Sequence, residues 1–86
     1  MNVKYAVHGD LLFMCTDSEK QIAKLEWMYQ YRRPEDLVAS QELKSLIQAM
    51  KDMQASLEQL YENTTGKRFE SKMDEYRARL RKKLSN

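Results

Sequence analysis

Between Ala39 and Leu60 the apolar residues fall at Ala39, Leu43, Leu46, Met50, Met53, Leu57 and Leu60, alternately four and three residues apart. This is an unbroken heptad seam, and it demands a second helix lying along it, from the same chain or from another. With Leu43 as position a, the a row is Leu43, Met50 and Leu57, and the d row is Leu46, Met53 and Leu60. The flanking positions include apolar Ile47 and Tyr61, not the charges that usually dictate a two-stranded coiled coil. So broad a stripe fits two neighbours, in a three-helix core or a dimer's four-helix bundle. The spacing leaves open whether the seam closes within one chain or between two.

The rest of the chain divides around this seam. Val3, Tyr5 and Val7 alternate with Lys4 and Ala6, and His8-Gly9-Asp10 is a turn signal, so residues 1–16 read as a short β element. Leu11 to Cys15 is either the returning strand of a hairpin or, with Asp10 as cap, already helix; the hairpin is the favoured reading. Thr16 and Glu19 have capping-box spacing and predict a first helix over 17–33, with Ile22, Leu25, Met28 and Tyr29 on one face. Pro34 ends that helix and opens a second over 34–62. Asn63-Thr64-Thr65-Gly66 supplies a left-handed exit. A third, basic helix over 66–84 presents Phe69, Met73, Tyr76, Leu80 and Leu84, and the short turn predicts that it folds back on the second helix. The second helix would be about 42 Å long, against about 30 Å across for a compact globule of this length. The expected fold is therefore mainly α, a single small domain over 1–86, with a long central helix in a helical hairpin or three-helix arrangement, elongated or dimeric.

Composition narrows the function classes. A chain of 86 residues buries a limited core and needs help, from a disulfide, a metal or association. Cys15 and His8 each stand alone, which leaves no intrachain disulfide and no closed zinc site, and no cofactor is expected. Met1 to Val7 lacks the pattern of a signal peptide, and the apolar run Leu11 to Cys15 is far too short to span a bilayer. A soluble chain in the reducing cytoplasm, away from membranes, is the expectation.

Three features point to binding. Trp27, Tyr29 and Tyr31 with Arg32 and Arg33 form an aromatic–arginine patch of the residue types most enriched at interface hot spots. Six methionines include Met28, Met50, Met53 and Met73 on apolar faces, where their flexibility suits irregular partners as well as gap-filling. From Lys67 onward the net charge is +5, against −3 for residues 1–66, and Arg77, Arg79, Arg81, Lys82 and Lys83 crowd the last turns. Such cations stabilise a helix C-terminus, and they also suit an acidic protein surface or phosphates.

Catalysis finds little footing. His8 and Cys15 would meet only across a hairpin, and Gly66-Lys67 lacks the rest of a phosphate loop. Ser40-Gln41-Glu42-Leu43 resembles the opening of the Ser-Gln-Glu-Leu-Asp motif of the small helical-hairpin phosphatases that act on sporulation response regulators. Lys44 stands where that motif has its signature Asp, which removes the acid that the phosphatase activity implies. The sequence thus predicts a non-enzymatic protein–protein interaction module, a small adaptor, regulator or inhibitor of a larger protein. Trp27, Tyr31, Arg32, Arg33, Met50 and Met53 are its contact residues, and a homodimer is compatible with them. The alternative is a nucleic-acid-binding protein using the basic third helix.

Overall fold

The computed structural model describes the backbone of residues 3–31 and 37–84 and the side chains of 9–31 and 40–83. Three helices account for most of it: α1 (Val3–Gln30), α2 (Leu37–Thr65) and α3 (Met73–Leu84). There is no strand among the described residues. No helix among them is long and apolar enough to cross a membrane.

The β element expected over 1–16 is not supported: the helix expected to begin at 17 begins at Val3, and residues 1–2 lie outside the described residues. Gly9 does not take the left-handed geometry that a turn would use; among the described glycines only Gly66 has positive φ. The expected capping box of Thr16 and Glu19 lies in the middle of α1, and the Glu19 carboxylate has other work. Ser18 donates from Oγ to the carbonyl of Met14 at 2.7 Å, one turn back within α1. Glu19 accepts hydrogen bonds from a distant segment, at Ser71 and Lys72. Leu11 and Cys15 are buried against Tyr61, and this tertiary contact overrides the turn signal at His8-Gly9-Asp10.

α2 is built of Leu, Gln, Glu, Met, Ala and Lys with no internal Gly or Pro. Side-chain bonds one turn apart reinforce it: Gln48 to Asp52, Gln54 to Glu58 and Gln59 to Asn63, each 3.0 Å. It ends at Thr65, three residues beyond the expected boundary at 62. Gly66, with φ of 70°, donates its N–H to the Glu62 carbonyl at 2.9 Å, and Thr65 Oγ1 donates to the Tyr61 carbonyl.

The helical hairpin is formed by α1 and α2. They run antiparallel: Leu11 and Cys15 meet Leu57 and Tyr61 at one end, and Glu26 meets Lys51 nearer the other. The third helix does not fold back on α2 as expected. It packs on α1 alone and runs parallel to it, with Glu19 beside Ser71 and Glu26 beside Arg77. α1, not α2, is thus the central helix. The crossing is made by residues 66–72, and two carboxylates direct it. Glu62 accepts the Phe69 N–H at 3.1 Å, and Phe69 stacks edge-on against Tyr61 with ring centroids 6.1 Å apart. Glu19 then accepts from Ser71 Oγ and from the Lys72 N–H at the threshold of α3.

The heptad seam is used differently from its sequence reading. α2 turns toward α1 the row Ser40, Ile47, Gln54 and Tyr61, with Leu43, Met50 and Leu57 half-buried beside it. The d row is left outside, with Leu46, Met53 and Leu60 respectively 47%, 45% and 51% exposed. The molecule measures 52 × 30 × 21 Å with a radius of gyration of 15.5 Å, against about 12 Å for a compact chain of this length.

Candidate protein-binding surface

The surface is assembled where the C-terminal halves of α1 and α3 lie side by side. α3 places acids first (Asp74, Glu75) and cations last (Arg81, Lys82, Lys83), the order that its dipole favours. Its apolar face, Met73, Tyr76 and Leu80, lies against α1, with Tyr76 buried and the other two half-buried. Lys20 and Arg79 flank the Tyr76 ring at 5.6 and 5.8 Å from its centroid.

Two carboxylates of α1 hold α3 in place by different means. Glu19 is only 2% exposed, and its two oxygens take Ser71 Oγ and the Lys72 N–H. A negative group there also faces the positive end of α3. Glu26 is partly exposed and shared: Arg77 reaches it with Nε at 3.1 Å and Nη2 at 3.3 Å, and Lys51 of α2 lies 3.6 Å away. Glu26 is therefore the one described carboxylate with ion-pair partners on both neighbouring helices.

Trp27 sits at the edge of this packing. Its ring is 5.4 Å from that of Tyr31, tilted by 49°, and Tyr31 is 52% exposed. The indole N–H is buried and has no hydrogen-bond partner among the described residues. Beside it lies a groove of about 410 Å³ with Trp27, Met28 and Leu80 as its floor and Lys24 and Lys83 on its rim. A second recess of about 200 Å³ continues from Trp27 and Leu80 toward Glu26, Arg77 and Arg81. Trp27 of the aromatic patch and Arg77, Arg81 and Lys83 of the basic cluster, separate in the sequence, line these two adjoining recesses.

The other expected contact residues fall as follows. Arg32 and Arg33 lie outside the described residues. Met50 is half-buried beside α1, and Met53 stands on the outer flank of α2, away from Trp27. Arg77 bonds Glu26 and approaches Asp74 at 3.5 Å; Arg79 pairs with Glu75 at 3.4 Å. Arg81, Lys82 and Lys83 are exposed. At about 100° per residue these five cations fan around α3 and do not line one face. From the sequence, Met28 stands only among the methionines on apolar faces, and neither Lys24 nor Leu80 is marked as a contact. The i, i+3, i+4 spacing of Lys24, Trp27 and Met28 was the available signal.

Cys15 is fully buried, and its thiol pKa is raised by burial and then by the carboxylates of Glu58, Glu19 and Glu62. The hairpin that would bring it to His8 is absent; both lie in α1, two turns and about 10 Å apart along its axis. Ser40 is buried in the early turns of α2, while Gln41, Glu42 and Lys44 are exposed. No family model matches the chain, and neither a curated protein nor a solved structure is significantly similar to it.

Proposed function

We propose that this chain is a non-catalytic protein-binding module, a small adaptor, regulator or inhibitor of a larger protein, working in the reducing cytoplasm. Its partner presents an amphipathic acidic segment to the groove between α1 and α3. The observation that carries this reading is the groove itself: an apolar floor of Trp27, Met28 and Leu80 between two lysines, Lys24 and Lys83. Trp anchors and Met adapts, and a helix laid into such a groove buries its apolar face while its acids meet the rim. The +5 charge of the chain from Lys67 onward adds long-range attraction for the same partner.

The second reading, nucleic-acid binding by α3, draws on that same charge. It is the weaker one because Arg77 and Arg79 are engaged with Glu26 and Glu75 and the cations do not share a face. The experiment is affinity capture from the native cell after nuclease treatment, with the wild-type chain and a Lys24→Glu/Lys83→Glu variant side by side. Both lysines are exposed, so the reversal leaves the fold intact. A stoichiometric protein retained by the wild type and lost from the variant is the expected result. Equal retention by both would remove the groove from the reading, and loss of every partner on nuclease treatment would favour nucleic acid.

A further inference from the structure

α2 has two flanks on either side of the strip that meets α1. One carries Lys44, Lys51 and Glu58, and Lys51 reaches Glu26, which also holds Arg77 of α3. The other flank, turned away from α3, is bare. It consists of the exposed row Leu46, Met53 and Leu60 and, one step further round, the small exposed residues Ala49 and Ser56. Between Glu42 and Asn63 this flank contains no charged residue, in a chain of which 33% is charged.

We infer that this flank is the interface of a homodimer in which α2 packs antiparallel against α2 of a second copy about a twofold axis near Met53. Three observations select a second copy as the occupant. The first is self-complementarity. Leu46–Met53–Leu60 reads the same in both directions about Met53, and Ala49 and Ser56 lie symmetrically about almost the same level. An isologous contact requires such a patch: Leu46 meets the partner's Leu60, Met53 meets the partner's Met53, and Ala49 meets the partner's Ser56. The small pair lets the two backbones approach closely.

The second observation is area. The chain exposes 6722 Å², whereas a compact monomer of 10.3 kDa exposes about 5,400 Å². That excess of about 1,300 Å² is spread over the whole elongated chain, and it leaves room for the about 800 Å² per partner that a stable interface of standard size buries. The third is charge. A parallel pair would set Glu42 against the partner's Glu42, while the antiparallel pair sets it near the partner's Asn63. The basic α3 and the groove at Trp27 lie on the far side of each hairpin, so the dimer leaves both free.

The test begins with the mass in solution by light scattering over a concentration series. Twice 10.3 kDa is expected, falling to 10.3 kDa at the same concentrations for Met53→Lys, with helical circular dichroism unchanged because Met53 is 45% exposed. A wild-type chain that is monomeric throughout, or a Met53→Lys chain that stays dimeric, overturns the proposal. Orientation is read independently by cross-linking under oxidised glutathione. Leu46→Cys mixed with Leu60→Cys should form the mixed disulfide dimer, and neither variant alone should dimerise covalently; native Cys15 is fully buried and stays silent. Equal cross-linking of Leu46→Cys with itself overturns the antiparallel pairing.

Discussion

The two ends of the hairpin are held together by different physics. At the Gly66 end, Leu11, Cys15 and Tyr61 are buried, Phe69 closes over Tyr61, and two carboxylates, Glu19 and Glu62, accept backbone N–H groups of the crossing loop. At the other end, Trp27 and Leu80 floor an open groove, the indole N–H has no partner among the described residues, and Glu26 is shared between Lys51 and Arg77 in reach of water. Each end uses one carboxylate of α1, Glu19 or Glu26, but only Glu19 is buried. The first end fixes the course of the chain; the second holds α3 close while leaving apolar surface for something else.

The sharpest way to break that contrast is at Glu19. Glu19→Ala removes the acceptor of both the Ser71 hydroxyl and the Lys72 N–H, and Glu19 is 2% exposed. Two lost hydrogen bonds to a carboxylate and the lost packing at a buried side chain put the expected cost at about 3 kcal/mol, read from the midpoint of urea unfolding. A shift no larger than that of an ordinary surface substitution would mean that the loop and the start of α3 are not held by this carboxylate.

How much of this was legible beforehand varied with the range of the signal. The exit of α2 at Gly66 and the face of α3 at Met73, Tyr76 and Leu80 were readable from local geometry and periodicity. The helix expected over 66–84, however, begins only at Met73, and Phe69 lies in the crossing segment against Tyr61. The seam of α2 misled because its a and d rows are equally apolar, while the row turned to α1 includes polar Ser40 and Gln54. Gln54 satisfies its amide nitrogen through Glu58 within α2, which hides its burial from any hydropathy reading. The partner of α3 was illegible because Glu19 and Glu62 select it across the fold. At the candidate surface, Trp27, Tyr31 and the basic turns were identified, but their meeting at Lys24, Met28 and Leu80 depends on α3 lying along α1.

A smaller effect separates the two glycines. Gly9 lies inside α1 with open space where a Cβ would stand, while Gly66 has φ of 70°. Gly9→Ala should therefore stabilise the chain by about 0.5–1 kcal/mol, through helix propensity and a less flexible unfolded state. Gly66→Ala should destabilise it by about 1 kcal/mol, since an alanine at positive φ is strained. Thermal unfolding of the two variants gives the comparison directly. Destabilisation by Gly9→Ala would restore the turn at His8-Gly9-Asp10 and with it the hairpin.

The smallest effect is expected at the open end, from Arg77→Gln. Arg77 forks onto Glu26 with two hydrogen bonds, which on geometry alone resembles the Glu19 clamp. Its surroundings differ: the Arg77 and Glu26 side chains are 41% and 29% exposed, so water and salt screen the pair. Glu26 also keeps Lys51 as a second cation when the guanidinium goes, so no buried charge is left unpaired. The expected cost is about 0.5 kcal/mol in low salt and less in high salt, measured by urea unfolding at two ionic strengths. A loss comparable with that of Glu19→Ala, and insensitive to salt, would show that the Trp27–Leu80 end is as tightly closed as the Gly66 end. The groove would then have no slack in which to receive a partner.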